Sequence, residues 1–242
     1  MVVIGCAGQK RFGKDTLADR VAPQLEWTME SFSVVSGLKK TQEKWGRSSF
    51  AYGVKEIYCR TFGKNLAFIE EWKENPEPPP GMTMCVRHAL QFIGDGFRKI
   101  QPDIWIEKAF RDPYEYEHKI FSDARYVNEA KKIHSKDGFN FLIYRPSKLN
   151  FDESLSEAEL RPYLIWCAET GKEGLIEDWS EYQAAIQEEH SEFFKNLGYF
   201  DYFVRNDGSL EDFHRKIDNI IVPFLKENYD ERRSNNSHTD SI

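Results

Sequence analysis

A glycine-rich segment close to the N-terminus constrains the fold of this chain more than any other feature. Gly8–Thr16 reads G-x-x-x-x-G-K-D-T, after the apolar run Val2–Gly5 and before Leu17–Val21. The apolar run predicts a buried strand and the later segment predicts a helix, which is the context that a phosphate-binding loop requires. Its glycines let successive backbone N–H groups turn toward a phosphate chain, and the helix N-terminus adds further donors. The sequence therefore predicts an α/β fold whose first loop binds a nucleoside triphosphate.

The end of this loop departs from the commonest form of the motif. A Ser or Thr whose hydroxyl holds Mg²⁺ usually follows the lysine. Here Asp15 follows Lys14, and Thr16 comes one position later. The G-K-x-T ending resembles the loop of nucleoside monophosphate kinases more than that of GTPases or motor ATPases. It favours a small-molecule kinase over a nucleotide-dependent switch.

Composition narrows the function classes further. The 242 residues are 40% hydrophobic and 30% charged, which predicts a packed core, and the net charge of −7 argues against broad attraction to nucleic acid. The four cysteines form no C-x-x-C pair, so neither a zinc site nor a disulfide framework is indicated. No apolar run approaches the roughly 20 residues that span a bilayer, and we expect no signal peptide ahead of a loop that starts at residue 8. We therefore expect a cytoplasmic protein without direct contact to membranes or nucleic acids.

Strand-like and helical segments alternate along the chain. Five segments are predicted to be strands, namely Val2–Gly5, Ser48–Tyr52, His118–Ser122, Phe139–Tyr144 and Asp201–Arg205. This alternation predicts a three-layer α/β fold with a mostly parallel five-stranded sheet and helices on both faces. We assign residues 1–227 to a single domain, with an acidic helical insertion at about 149–189 and a disordered tail at 228–242.

One predicted helix, from Thr83 to Lys99, carries two stripes. The apolar stripe, which predicts the core face, consists of Val86, Leu90, Ile93 and Phe97. The polar stripe lies one position along and consists of Arg87, Gln91, Gly94 and Arg98. Two guanidiniums and an amide in a row suit a phosphorylated acceptor, because arginine binds phosphate bidentately and an amide can both donate and accept. A solvated polar face is the alternative interpretation.

The end of the third predicted strand carries a second group of charged residues. Asp123 and Arg125 follow the strand directly, at the edge of a parallel sheet where ligands bind. A carboxylate there can hold Mg²⁺ through water. Glu129 either joins this site or pairs with Arg125 four residues earlier. Lys55 is either an anion contact or a solvated lysine, and Trp105 either fills the core or stacks on a base.

Together these segments resemble the deoxynucleoside monophosphate kinases of tailed bacteriophages. The matching stretches occur in the family's order from end to end, leaving out the insertions. They are Gly8–Asp19, Ser49–Glu56, Val86–Asp95, Asp103–Trp105, Ser122–Ala130, Tyr144–Pro146, His190–Glu192 and Val204–Glu211. Only the first is specific alone, whereas the ordered combination is quite specific. Glu26–Lys44 and Leu149–Glu189 are longer than the corresponding connections of the family.

The resemblance implies the P-loop kinase fold and transfer of the γ-phosphoryl group of ATP to a deoxynucleoside 5′-monophosphate for phage DNA synthesis. It implies an ATP site made of Lys10, Arg11, Gly13, Lys14, Asp15 and Thr16, with Asn206 near the adenine end. It implies a monophosphate side and catalytic cleft made of Lys55, Arg87, Gln91, Trp105, Asp123, Arg125 and Glu129.

From these assignments we expect in-line phosphoryl transfer, catalysed by positioning and charge stabilisation. The expected catalytic residues are Lys14, Arg87, Asp123 and Arg125. Arg98 joins Arg87 and Arg125 in neutralising the acceptor and the transferred group. Mg²⁺ is expected to be held by Thr16 and, through water, by Asp123.

Two alternatives remain open at the level of sequence. One is a P-loop kinase of another small acceptor, such as a dephospho-coenzyme or a nucleoside. The other is a non-catalytic nucleotide-binding module that uses the acidic insertion to bind a partner. The arginine stripe favours a phosphorylated acceptor. The expected partners are small-molecule nucleotides, and a homodimer is left open.

Overall fold

The computed structural model of the chain describes residues 3–26, 45–111, 118–149, 158–176 and 192–228. The chain divides into two compact units. Unit 1 comprises Met1–Arg47 with Glu115–Ile242, and unit 2 comprises Ser48–Tyr114. Within the described ranges, no helix is both long enough and apolar enough to cross a membrane.

A six-stranded, mostly parallel sheet forms the centre of unit 1. Its strands are β1 (Val3–Ala7), β2 (Trp45–Ser48), β3 (His118–Ala124), β4 (Phe139–Tyr144), β5 (Gly174–Leu175) and β6 (Tyr202–Arg205). They lie in the order β2-β3-β1-β4-β6-β5. β1 is parallel to both β3 and β4, β4 is parallel to β6, and β5 is antiparallel to β6 at the sheet edge. Every residue of β1 and β4 is buried, as expected for central strands covered on both faces.

The helices divide between the two units. Unit 1 contains α1 (Lys14–Glu26), α6 (Val127–His134), α7 (Arg161–Thr170), α8 (Glu192–Leu197) and α9 (Leu210–Lys216). Unit 2 contains α2 (Tyr52–Phe62), α3 (Leu66–Trp72), α4 (Val86–Ile100) and α5 (Ile104–Arg111). In unit 1, α1 packs against β1 and β3, and α6 packs against β1 and β4. The core of unit 2 is built around Tyr58, Ile69 and Val86, with Leu90 and Ile93 packed against it.

The predicted α/β class with a mostly parallel sheet is confirmed, with six strands instead of five. The additional strand, β5, has only two residues and lies within the predicted insertion, so no apolar pattern marks it. The predicted strand Ser48–Tyr52 was wrong in its position. The strand ends at Ser48, and Ser49 starts a turn in which its carbonyl accepts from the N–H of Tyr52 at 3.2 Å. Tyr52 then begins α2.

Several predictions fall on parts of the chain that the structure does not describe. They include the whole connection between α1 and β2, about half of the acidic insertion, the residues His190 and Ser191, and the tail beyond residue 228. The assignment of residues 1–227 to one domain stays a prediction.

Candidate functional site

The phosphate loop lies between β1 and α1, and two of its glycines are required by its geometry. Gly8 and Gly13 have φ values of 141° and 103°, a region that side chains rarely adopt. A Cβ at Gly8 would clash with the carbonyl oxygen of Ile143 on β4. A Cβ at Gly13 would lie 2.7 Å from Nδ2 of Asn206 and 2.8 Å from the ring of Phe213. The loop backbone therefore packs directly against neighbouring residues at both glycines, and a side chain at either position would displace the loop.

Two side chains fix the shape of the loop. Lys14, the first residue of α1, is only 7% exposed, and its Nζ donates to the carbonyl oxygens of Gly8 and Gln9 at 2.7 and 2.6 Å. Asn206, which follows β6 and is also 7% exposed, donates from Nδ2 to the carbonyl oxygen of Phe12 at 2.8 Å. The backbone of the loop thus binds the buried ammonium group of Lys14, and the side chain of Asn206 at the end of β6 anchors the loop.

The remaining loop residues predicted to bind ATP differ in exposure. Lys10 is half-buried, whereas Arg11 is exposed and has a φ of 66°, unusual for a residue with a side chain. Thr16, the third residue of α1, is half-buried. All of these residues, with Asn206, belong to unit 1.

An arginine that the sequence analysis did not select lies beside the start of α1. Arg47 on β2 donates to a carboxylate oxygen of Asp15, to Oδ1 of Asp19 at 2.8 Å, and to the hydroxyl of Ser122 at 2.7 Å. The Ser122 hydroxyl also lies 2.9 Å from Oδ1 of Asp15, within hydrogen-bonding distance. This Arg47 network, formed by Arg47, Asp15, Asp19 and Ser122, connects α1, β2 and β3. Its hydrogen-bonded partners are 28 to 107 residues apart in sequence, so no local motif could have revealed the network.

The end of β3 departs from regular strand geometry. Gly5 is paired with Phe121, but Ala7 is paired with Ala124, so β3 contains one extra residue between these pairs. The irregularity spans Ser122 and Asp123, and bulges of this kind re-aim side chains next to functional sites. Asp123 is half-buried at this edge.

Glu129 has a clear structural role. It is 2% exposed, and its Oε2 accepts from the backbone N–H groups of Arg125 and Tyr126 at 2.7 and 3.2 Å. These contacts close the start of α6 and fix the backbone that follows β3. The sequence left open whether Glu129 joins the site or forms an ion pair with the Arg125 side chain, and the contacts seen here are to backbone N–H groups.

Burial makes Cys6, the cysteine closest in sequence to the phosphate loop, unreactive. Cys6 on β1 is fully buried, and this burial raises the pKa of its thiol to about 12. The positive charges of Lys14 and Arg47 act in the opposite direction but are weaker. The thiol therefore stays protonated at neutral pH and serves as a small core residue.

The predicted acceptor residues of unit 2 lie mainly on α4. Arg87 donates to Glu74 at 2.6 Å, and Arg98 lies 3.5 Å from Asp95. Gln91, between the two arginines, is half-buried. Each of the two guanidiniums thus lies beside a carboxylate of its own unit.

The other two predicted acceptor residues lie on neighbouring helices of unit 2. Lys55 on α2 donates to Glu70 at 3.0 Å. Hydrogen bonds from Lys73, and then from Lys55, keep the pKa of the Glu70 carboxyl below its ordinary value. Trp105 on α5 is 2% exposed and donates from Nε1 to the carbonyl oxygen of Gly94 at 3.0 Å. Trp105 therefore contributes to the core of unit 2 and locks α5 to α4.

The described residues contain no cluster of three or more His, Cys, Asp or Glu side chains that could hold a metal ion. The residues predicted to hold Mg²⁺, Thr16 and Asp123, are both half-buried, and this role stays a prediction. Mg²⁺ in phosphoryl-transfer enzymes is bound through one or two protein oxygens together with substrate phosphates and water. The contact between Ser122 and Asp15 joins the β3 end to the α1 start, the segments that carry Asp123 and Thr16.

Comparisons with known proteins find similar chains among solved structures. No protein-family model matches the chain, and no curated protein matches it. Among solved structures, the chain is similar to a dephospho-CoA kinase from Campylobacter jejuni, with a TM-score of 0.36 and 14% sequence identity. The match covers 93% of this chain and 98% of the other.

Proposed function

We propose that this protein is a P-loop kinase that transfers the γ-phosphoryl group of ATP to a deoxynucleoside 5′-monophosphate. The observation that carries the proposal is the loop Gly8–Thr16, which joins a buried central strand to a helix and holds the Lys14 ammonium on its backbone. Phosphate chains bind where backbone N–H groups and a helix N-terminus converge.

The donor side of the proposed reaction belongs to unit 1. Lys14 and the loop N–H groups bind the β- and γ-phosphates, assisted by Lys10 and Arg11. Asn206 keeps the loop in the binding conformation through its hydrogen bond to Phe12. Thr16 and Asp123 would hold Mg²⁺, which would neutralise charge on the phosphates when it is bound.

The acceptor side is assigned to the cationic residues of α4 and α2, namely Arg87, Arg98 and Lys55, together with Gln91. A phosphate dianion offers oxygens of the same kind as the carboxylates that these residues bind now. It can therefore replace them with little rearrangement of the cationic side chains. Arg125, next to the β3 end, is assigned to the transferred phosphoryl group. Little proton transfer is required, because the attacking atom is already an anionic phosphate oxygen.

The resemblance to the phage enzymes supports a deoxynucleotide as the acceptor. The proposal is tested by coupled ADP release with ATP, Mg²⁺ and a panel of ribo- and deoxynucleoside 5′-monophosphates, a nucleoside and a dephospho-coenzyme. We expect ADP release that depends on a deoxynucleoside monophosphate, with little release when the acceptor is omitted. Release with the dephospho-coenzyme alone would identify a different acceptor, and ATP binding without release under any condition would indicate a binding module.

A further inference from the structure

We propose that Arg47 is a positioning residue that neutralises Asp15 and so permits tight binding of the ATP phosphates. The inference rests on the ATP site of the proposed function and concerns a residue outside the phosphate loop. Its basis is the Arg47 network, in which a single guanidinium contacts Asp15, Asp19 and Ser122.

The position of Asp15 creates the need for such a residue. Asp15 is the second residue of α1 and directly follows Lys14, so it stands at the helix terminus where a polyphosphate would bind. A carboxylate there favours the helix dipole when no ligand is present. Beside a triphosphate, however, its negative charge repels the ligand. The guanidinium of Arg47 offsets this repulsion because it is paired with the same carboxylate.

The exposure of the network indicates that its contribution to folding is small. The side chains of Arg47, Asp15 and Asp19 are 44%, 75% and 61% exposed. Ion pairs with this much exposure add little to stability, since water screens them. An effect of Arg47 on ligand binding can therefore be separated from an effect on the fold.

The network also connects the two segments assigned to Mg²⁺. Ser122 directly precedes Asp123, and Asp15 directly precedes Thr16. Arg47 contacts both Ser122 and Asp15, so it links the end of β3 to the start of α1.

The test is equilibrium binding of ATP with Mg²⁺, in the absence of any acceptor, to the full-length protein. Arg47→Ala is expected to weaken binding about tenfold, which corresponds to the removal of one charge-assisted contact near the ligand. Asp15→Asn removes the carboxylate charge but keeps the backbone N–H that Asp15 contributes to the ATP site at the start of α1. If the loss arises from the unneutralised carboxylate, the double variant Arg47→Ala with Asp15→Asn should bind within about threefold of wild type. Arg47→Lys, which keeps the charge, should fall between wild type and Arg47→Ala.

Asp19 provides the matched control for this rescue. It also contacts Arg47 but lies about one helical turn further from the N-terminus of α1, about 6 Å along the axis. Arg47→Ala with Asp19→Asn should therefore bind ATP nearly as weakly as Arg47→Ala alone. Equal rescue by both double variants, or wild-type binding by Arg47→Ala, would overturn the inference.

Further controls distinguish an effect of Arg47 on ATP binding from an effect on folding or on phosphoryl transfer. Arg215→Ala removes another exposed arginine–aspartate pair in unit 1 and should leave ATP binding unchanged. Far-UV circular dichroism and the melting temperature of every variant report the fold, and Arg47→Lys keeps the test informative if Arg47→Ala is unstable. If ATP binding follows the expected pattern but no acceptor is phosphorylated, the inference stands and the proposed function fails.

Discussion

The phosphate loop of unit 1 and the arginine stripe of unit 2 bind their cationic groups in different ways. In the loop, Lys14 is 7% exposed and is held by two backbone carbonyl oxygens. On α4, Arg87 is 37% exposed and is held by a side-chain carboxylate. Backbone partners are fixed by the fold, whereas a surface carboxylate can move away at small cost.

This difference indicates different tasks for the two regions. The loop is preorganised, since glycines with positive φ and close neighbours leave it little freedom. Preorganised groups act most strongly on the transition state, because they need no rearrangement during the reaction. The arginines of the stripe lie beside side-chain carboxylates, and in the proposed function an acceptor phosphate takes the place of these carboxylates. Changes in the loop should therefore reduce turnover, and changes in the stripe should reduce acceptor affinity.

The largest effect is expected for Lys14→Ala. Loss of the ammonium should lower kcat/KM for ATP by about 1000-fold or more, because a charged group acting on the transferred phosphoryl group is lost. The fold should persist, as judged by circular dichroism. Lys136→Ala, which removes an exposed lysine in the turn after α6, serves as the control and should behave as wild type. Substantial kinase activity in the Lys14 variant would show that the loop is not the catalytic phosphate site.

A pair of glycine variants tests whether the positive φ and the close contacts of Gly13 constrain the loop. Gly13→Ala should lower turnover about 100-fold and destabilise the protein by about 1–3 kcal/mol, since the new Cβ meets Asn206 and Phe213 at a strained φ. Gly96→Ala is the matched change on α4, where a Cβ would meet no atom within 4 Å. It should raise the free energy of unfolding by about 0.5–1 kcal/mol. Urea denaturation measures both free energies of unfolding. Similar effects of the two changes would contradict the view that the loop is more constrained than α4.

Arg87→Ala tests the stripe and should affect the acceptor rather than ATP. The KM for the monophosphate should rise about 10- to 100-fold, the range expected for one charge-assisted contact to a phosphate. Glu74→Gln breaks the same ion pair from the other side but leaves the guanidinium in place. It should leave the KM for the acceptor near that of wild type or lower it. If both variants raise this KM equally, the pair is structural and the stripe does not bind the acceptor.

The two regions also differ in how far the sequence could predict them. Continuous apolar runs marked β1 and β4, and the observed bounds of β4 match the predicted ones. The loop itself is a local motif, so its position between strand and helix was predictable. Arg47 was not, because its role depends on partners brought together by the fold. The extra residue in β3 and the capping contacts of Glu129 likewise follow from strand pairing and burial, which no spacing rule encodes.

The smallest expected effect concerns the hydrogen bonds that join α1 to Asp218, away from the phosphate loop. Arg20 and Gln24 on α1 donate to Asp218 in the π-helical turn Ile217–Ile221. The hydrogen bond from Arg20 is the main cause that lowers the pKa of the Asp218 carboxyl from its ordinary value of 3.8.

Because the folded pKa is lowered, the contact stabilises the protein above about pH 3.8 and loses this effect as the pH falls through the folded value. Asp218→Asn should therefore reduce the melting temperature slightly at neutral pH. The difference between variant and wild type should shrink as the pH falls below 3.8. Other carboxylates titrate equally in both proteins and cancel in this difference. A constant difference between pH 7 and pH 2 would show that the contact acts through packing rather than through charge, and ATP affinity should stay unchanged in either case.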